Sequence, residues 1–216
     1  MDLAALYKHR FAPEDRPRKI RIWNVLCSQF FQPIVGKDKI VLDLACGYGE
    51  FINAITAREK YAVDLNPDAA NYVNEGIKLF KAPATAIPLP NEAIDVVFTS
   101  NFLEHLRTKD ECDQVFAEVK RILKPRSRFI IMGPNIRYLA DRYWDYYDHH
   151  LPLSHLSLEE GLLQAGYGVE LNIPKFLPYT AKSTLPSHPA LVALYLKVPL
   201  AWRIMGRQFL IVATKL

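Results

Sequence analysis

The sequence lacks the features that mark several large protein classes. Among its 216 residues are only three cysteines, Cys27, Cys46 and Cys112. They are scattered, odd in number and without Cys-x-x-Cys spacing, which suggests neither a disulfide framework nor a zinc site. No uninterrupted apolar run reaches the ~20 residues that a membrane-spanning helix needs. The opening MDLAALYKHRF has no apolar core of the kind a secretory signal carries, so the expectation is a chain of the reducing cytoplasm. No segment repeats. Charge of one sign is also scarce, with 27 Lys and Arg against 23 Asp and Glu, a net +4. What is present is an apolar fraction of 50%, which excludes global disorder and suits a single α/β domain with a sizeable core.

The most informative stretch is VLDLACGYGEF, Val41 to Phe51. An apolar run ends near a carboxylate and turns through Gly47 and Gly49 into a helix, and glycines there let the backbone approach a ligand closely. A dinucleotide would call for Gly-x-Gly-x-x-Gly, but the third position is Ile52. Asp43 would also lie where a pyrophosphate sits and would repel it. A cationic, phosphate-free nucleoside such as S-adenosylmethionine fits that acid better. A second acid, Asp64, ends the next apolar run, YAVDLNPD, where a carboxylate accepts both ribose hydroxyls. The competing reading is that both acids cap the helices that follow them.

Alternating apolar runs and helical stretches predict a parallel sheet with helices on both faces. Strands are expected at Lys39 to Leu44, Lys60 to Leu65, Ile77 to Lys81, Ile94 to Ser100, Arg128 to Gly133, Tyr167 to Ile173 and Gln208 to Lys215. Helices are expected at Glu50 to Arg58 and at Asp110 to Leu123, the latter stopped by Lys124-Pro125. The run of motifs VLDLACGYG, VDLNPD, ATAIPLPNEAIDVVFTSNFLEHL and EVKRILKPRSRFIIMGPN, within residues 39 to 135, resembles the class I, Rossmann-like S-adenosylmethionine-dependent methyltransferases, and more narrowly the methyltransferase type 11 group.

That resemblance implies a three-layer, seven-stranded sheet of order 3-2-1-4-5-7-6 with strand 7 antiparallel, and S-adenosylmethionine as cofactor with S-adenosylhomocysteine as product. It implies cofactor contacts from Asp43, Ala45, Cys46, Gly47 and Gly49, from Asp64 and Leu65, from the Ala84 and Thr85 backbone, and from Ser100, Asn101 and His105, with Glu104 beside the last. The chain departs from many relatives at Pro83, where they carry an Asp that meets the adenine amino group. Proline has neither a side-chain acceptor nor an N–H, so fewer side-chain bonds to adenine are expected.

Residues 1–38 read as a helical cap before the domain at 39–216. The stretch Asp15 to Phe31 has an apolar stripe at Ile20, Trp23, Leu26, Cys27, Phe30 and Phe31. Arg10, Arg16, Arg18, Lys19 and Arg21 make its other side basic, either an ordinary solvated face or a site for an anionic partner. In relatives such a leading helix often lids the active site.

Acceptor chemistry is expected after strand 5, in RYWDYYDHHLPLSHLSLEEGLLQAGY. Methyl transfer needs a base only when the acceptor group must lose a proton, and imidazole suits that task. His150 is the candidate base by resemblance to the family's His, Ser and Gly-aromatic spacing, with His149 second. Two other readings stand beside it: a metal held by Asp148, His149, His150 and His155, or histidines that only satisfy loop backbone groups. No metal is expected, because the acid and amide set of the metal-dependent O-methyltransferases cannot be located. Tyr138, Tyr143, Trp144, Tyr146 and Tyr147 can wall a pocket for a ring or sugar, or pack the core.

Residues 174–206 form a proline-punctuated insertion. Ser187 is expected to cap a helix that is apolar nearly all round, Leu191 to Val198, ended by Pro199. Core burial, a homodimer contact and reception of a lipid-linked acceptor are its three readings. The acceptor is expected to be a small molecule or glycoconjugate methylated on oxygen. Nucleic acid is disfavoured, since TSNFLE stands where a D/N-P-P-Y/F motif would and no Pro-Cys pair occurs. The other class of function kept open is a catalytically silent cofactor-binding module.

Overall fold

The computed structural model describes residues 13–179 and 188–216. Helix α1 (Arg16–Leu26) is followed by α2 (Gln32–Val35), strand β1 (Ile40–Leu44), α3 (Glu50–Ala54), β2 (Glu59–Val63) and β3 (Lys78–Phe80). Then come β4 (Ile94–Ser100), α4 (Lys109–Ile122), β5 (Leu123–Pro134), α5 (Ile136–Leu139), α6 (His155–Gln164) and β6 (Tyr167–Ile173). The described chain ends with α7 (Pro189–Leu196), α8 (Pro199–Met205) and β7 (Gln208–Lys215). The strands form one seven-stranded sheet of order β3-β2-β1-β4-β5-β7-β6. β7 runs antiparallel to β5 and β6, while the β1-β2, β2-β3 and β4-β5 pairs are parallel. The order and the antiparallel strand are those the sequence implied.

The described residues fall into two compact units, 13–88 with 188–198, and 89–179 with 199–216. In the first, α1 continues through a π-turn at Cys27–Phe31 into α2, so the expected stripe is real but locally rewound. Phe31 is fully buried and meets Trp23 and Phe51 at ring distances of 6.3 and 5.9 Å. This aromatic cluster ties the leading helix to α3, the helix that follows the glycine turn. Two of the basic residues are not merely solvated: the Arg16 guanidinium stands 4.2 Å over the Tyr72 ring, and burial lowers the Lys19 pKa, with Glu50 opposing. Arg10 lies outside the described residues.

Helix α7 packs against α1. Its cap is His188, whose side chain accepts the Ala190 N–H at 3.3 Å, and the expected capping residue Ser187 lies outside the described residues. Full core burial of this helix is not what the structure shows: Leu196 is buried, but Leu191 and Leu194 are 46% and 59% exposed. Its main contacts are with α1 and the Cys27–Phe31 turn. Helix α3 is also shorter than expected, because Ile55 is already extended.

In the second unit, α4 starts at Thr108, which accepts the Glu111 N–H, and buries Cys112, Val115, Phe116, Val119 and Ile122 at helical spacing. β5 begins five residues before the expected Arg128: Leu123 pairs with Ile94, the register then shifts, and Arg128 pairs with Val96. The extra residues are taken up around Arg126, at φ +60°, where Lys-Pro was read only as a helix stop. α6 opens with Ser154 as its cap in a capping box with Ser157. Gly206 ends α8 because space demands it: a Cβ there would lie 2.5 Å from the Trp202 carbonyl oxygen and 2.6 Å from Lys175 backbone.

Candidate active site

The turn after β1 is built from backbone that few residues adopt. Ala45, Gly47 and Gly49 have φ of +58°, +54° and +71°. Glycine takes this conformation without cost, whereas Ala45 holds it under strain, of the kind stored at ligand sites. The register Leu44↔Val63 ends β1 and β2 level, which brings Asp64 against the turn. One Asp64 carboxylate oxygen accepts the Gly47 N–H and the other the Asn66 N–H, both at 2.7 Å. Each oxygen keeps a further lone pair, so the group can hold the turn and still accept ribose hydroxyls. The capping reading holds for Asp43, whose carboxyl is bonded by the Ile52 N–H in α3, but not for Asp64, which bridges two loops while Asn66 caps the next turn by accepting the Asp68 N–H at 3.0 Å.

Three acids converge on this turn. Asp43 is 3% and Asp64 8% exposed, and Glu50 starts α3. Burial raises the Asp43 pKa well above the carboxylate range, with the charges of Glu50 and Asp64 adding to it. Burial also raises Asp64, opposed by the backbone N–H bonds it accepts, and raises Glu50, opposed by Lys19 and Arg16. A bound cation relieves this repulsion, and a pyrophosphate would worsen it. Cys46 is buried and its thiol pKa is pushed up by that burial, so it packs rather than reacts. Leu65, 49% exposed directly after Asp64, offers an apolar face. Ala84 and Thr85 are half-buried in a turn closed by the Ala86 N–H on the Pro83 carbonyl at 3.1 Å.

The second unit carries a separate ionisable cluster. After β4, Asn101 takes φ +51° and its amide donates to the Ser100 hydroxyl at 3.1 Å. A short turn at Leu103–His105 follows. The Glu104 carbonyl accepts the N–H groups of both His150 (2.8 Å) and Leu151 (3.1 Å), locking the segment after β5 onto the segment after β4. His105 Nδ1 lies 3.0 Å from the Asp148 carbonyl and 3.2 Å from its carboxylate. Burial opposes protonation of His105, but Asp148 and Glu104 outweigh it and raise its pKa. His149 is 4% exposed, with its ring 4.8 Å from Tyr143, 4.9 Å from Tyr146 and 5.2 Å from His105.

The expected residues therefore divide. His150 is exposed, Tyr143 is core, and Trp144 and Tyr147 are 57% and 93% exposed. His155 is buried at the start of α6, its Nδ1 2.9 Å from the Asn135 amide; burial first, then Arg137, lowers its pKa, as suits a neutral acceptor. The set Asp148, His149, His150 and His155 is not gathered; among the described residues the carboxylate and imidazole donors that converge are those of Glu104, His105 and His149. Sequence reading missed the third acid, Glu50, although it follows Gly49 directly, and the pairing of Asp148 with His105, which no spacing reveals.

A sheet of this order with an antiparallel β7 is the Rossmann-like methyltransferase fold, and its acid-lined glycine turn lies at the ends of β1 and β2, where ligands of such sheets bind. Residues 42–131 match the model of a methyltransferase domain family, the stretch that carries the motifs read in the sequence. An uncharacterized protein of Methanocaldococcus jannaschii is 26% identical over 82% of this chain and 80% of its own length. A Mycobacterium tuberculosis protein named a probable S-adenosylmethionine-dependent methyltransferase is 29% identical over 44% of this chain and 35% of its own length. Among solved structures, an S-adenosylmethionine-dependent methyltransferase from Archaeoglobus fulgidus superposes with a TM-score of 0.65 at 20% identity, over 99% of this chain and 100% of that one. A Haloferax volcanii methyltransferase complexed with the Trm112 methyltransferase activator gives 0.71 at 16% identity, over 99% and 98%.

The acid cluster sets the sign of a pH effect. Because Asp43 has a raised pKa in the ligand-free fold, it carries its proton above the usual carboxylate range near about 4. A cationic cofactor favours the ionised form, so affinity should rise as pH climbs through that raised value, with proton release on binding. By the same linkage the ligand-free fold gains stability as pH falls through it. Calorimetric titration with S-adenosylmethionine in buffers of different ionisation enthalpy measures the released proton directly. Affinity that falls with rising pH would contradict the acid-cation pairing.

Proposed function

We propose that the methyl group goes to an oxygen of a small-molecule or glycoconjugate acceptor, with His150 as the base. The observation that carries this reading is His150 itself: an exposed imidazole whose backbone is pinned to the Glu104 carbonyl, beside a buried group of ionisable side chains. Bound S-adenosylmethionine supplies an activated methyl carbon. His150 takes the hydroxyl proton, the acceptor oxygen forms its bond to that carbon, and the carbon–sulfur electron pair leaves with S-adenosylhomocysteine. The first unit holds the cofactor through Asp43, the Ala45 to Gly49 turn, Asp64 and the Ala84–Thr85 backbone.

Trp144 and Tyr147, both exposed within six residues of His150, supply the faces on which sugar and other rings stack. The exposed Leu191 and Leu194 of α7 suit the apolar part of a lipid-linked acceptor. No described helix is long and apolar enough to cross a membrane, so such contact would be peripheral. One solved structure of similar fold is the [4+2]-cyclase SpnF, a reminder that the fold alone does not choose the reaction. The test is incubation with methyl-13C-labelled S-adenosylmethionine and a panel of hydroxylated and amino acceptors. A new methoxy carbon signal that needs the acceptor is expected; label appearing on nitrogen or carbon would overturn the oxygen assignment.

A further inference from the structure

We propose that Glu104, His105 and His149 bind a divalent transition-metal ion. A carboxylate oxygen of Glu104 and one ring nitrogen from each histidine lie within 4.8 Å of one another, so small side-chain adjustments bring all three to one ion at bond lengths of roughly 2.0 to 2.2 Å. Two imidazoles and one carboxylate are the donors of open sites for zinc and its first-row neighbours, in which the remaining positions take water or substrate. The absence of a thiolate from the set disfavours copper(I). The imidazole pair disfavours magnesium and calcium, which prefer oxygen.

The surroundings are those a metal site requires. Glu104 and His149 are each 4% exposed, while the His105 side chain is 28% exposed, so the cluster is buried but reachable. Its two segments are fixed to each other by the His150 and Leu151 N–H bonds to Glu104, which places the donors before any ligand arrives. Asp148 contributes the outer layer. Its carbonyl and carboxylate both face His105 Nδ1, at 3.0 and 3.2 Å, which sets the proton on that nitrogen and leaves Nε2 to coordinate. The negative charges of Glu104 and Asp148, itself 4% exposed, balance the two positive charges of the ion. The histidines adjacent in sequence do not form this site; the turn after β4 supplies two of its three donors.

The ion's role rests on the methyl-transfer reading above: it would polarise an acceptor hydroxyl and ease its deprotonation. Its binding does not rest on that reading and is measured on the protein alone. Chelator-stripped protein is titrated with Zn2+, Mn2+ and Co2+ by calorimetry, and the Co2+ form is followed by its ligand-field absorption. One ion per chain is expected for at least one of these metals. Glu104→Gln and His149→Ala should weaken it by at least about 10- to 100-fold, while both keep S-adenosylhomocysteine binding as proof of folding, and His150→Ala should leave metal affinity unchanged. No stoichiometric binding of any of the three ions to the parent protein would overturn the proposal even if the variants fail to fold. Equal affinity in the folded Glu104→Gln and His149→Ala proteins would do the same.

Discussion

Asp64→Ala is expected to weaken S-adenosylhomocysteine binding by about 2–4 kcal/mol, or about 30- to 1000-fold. Two losses combine. The carboxylate can no longer make the proposed bonds to the ribose hydroxyls, and it no longer accepts the Gly47 and Asn66 N–H groups that it bonds at 2.7 Å in the structure. The second loss frees a turn that holds Ala45 at φ +58°, so part of the affinity should vanish through disorder of the turn. Asp64→Asn keeps one acceptor oxygen and should fall between the two. Calorimetry that finds unchanged affinity in Asp64→Ala would remove the ribose assignment.

His150→Ala should lower kcat by about 10²- to 10⁴-fold while cofactor affinity stays nearly constant. Because the imidazole is exposed, the substitution should change stability by no more than about 0.5 kcal/mol, which separates a catalytic loss from an unfolding one. The assay is the labelled-methyl transfer, run at saturating acceptor. Full activity in His150→Ala would pass proton removal to His149 or to the Glu104–His105 cluster.

The sheet was legible in the sequence because its strands are apolar runs bounded by turn residues. β4, β6 and β7 match their expected ranges, and the β5–β7–β6 end followed from the resemblance rather than from periodicity. The misreadings have local causes. Ile55 is apolar and helix-compatible but extended, because residues 54–58 must turn back into β2; Lys124-Pro125 does stop α4, yet the chain goes straight on into a bulged strand. Helix α7 is apolar all round, a pattern that normally means burial, yet it leaves Leu191 and Leu194 about half exposed.

Of the site, the acids and glycines of the first unit could be read because they lie within a few residues of strand ends, where position along the chain nearly fixes position in space. Asp43, Gly47, Gly49 and Asp64 belong to this group. The cluster of the second unit could not be read the same way. Glu104–His105 and Asp148–His149 lie more than forty residues apart in sequence, and their meeting depends on the Glu104 carbonyl accepting two N–H groups from the loop after β5. Histidine count drew attention to the triplet His149, His150 and His155, but burial and partners assign these three quite different surroundings. A hydrogen-bonded loop pairing leaves no periodic signal.

The most direct test of the central claim, that an acid-lined turn selects a phosphate-free nucleoside over a dinucleotide, is a competitive calorimetric titration of the unmodified protein with S-adenosylhomocysteine and NADH at neutral pH. S-adenosylhomocysteine should bind at one site per chain, and NADH should neither bind measurably nor displace it, because its pyrophosphate would face Asp43. Tighter binding of NADH than of S-adenosylhomocysteine would contradict the account.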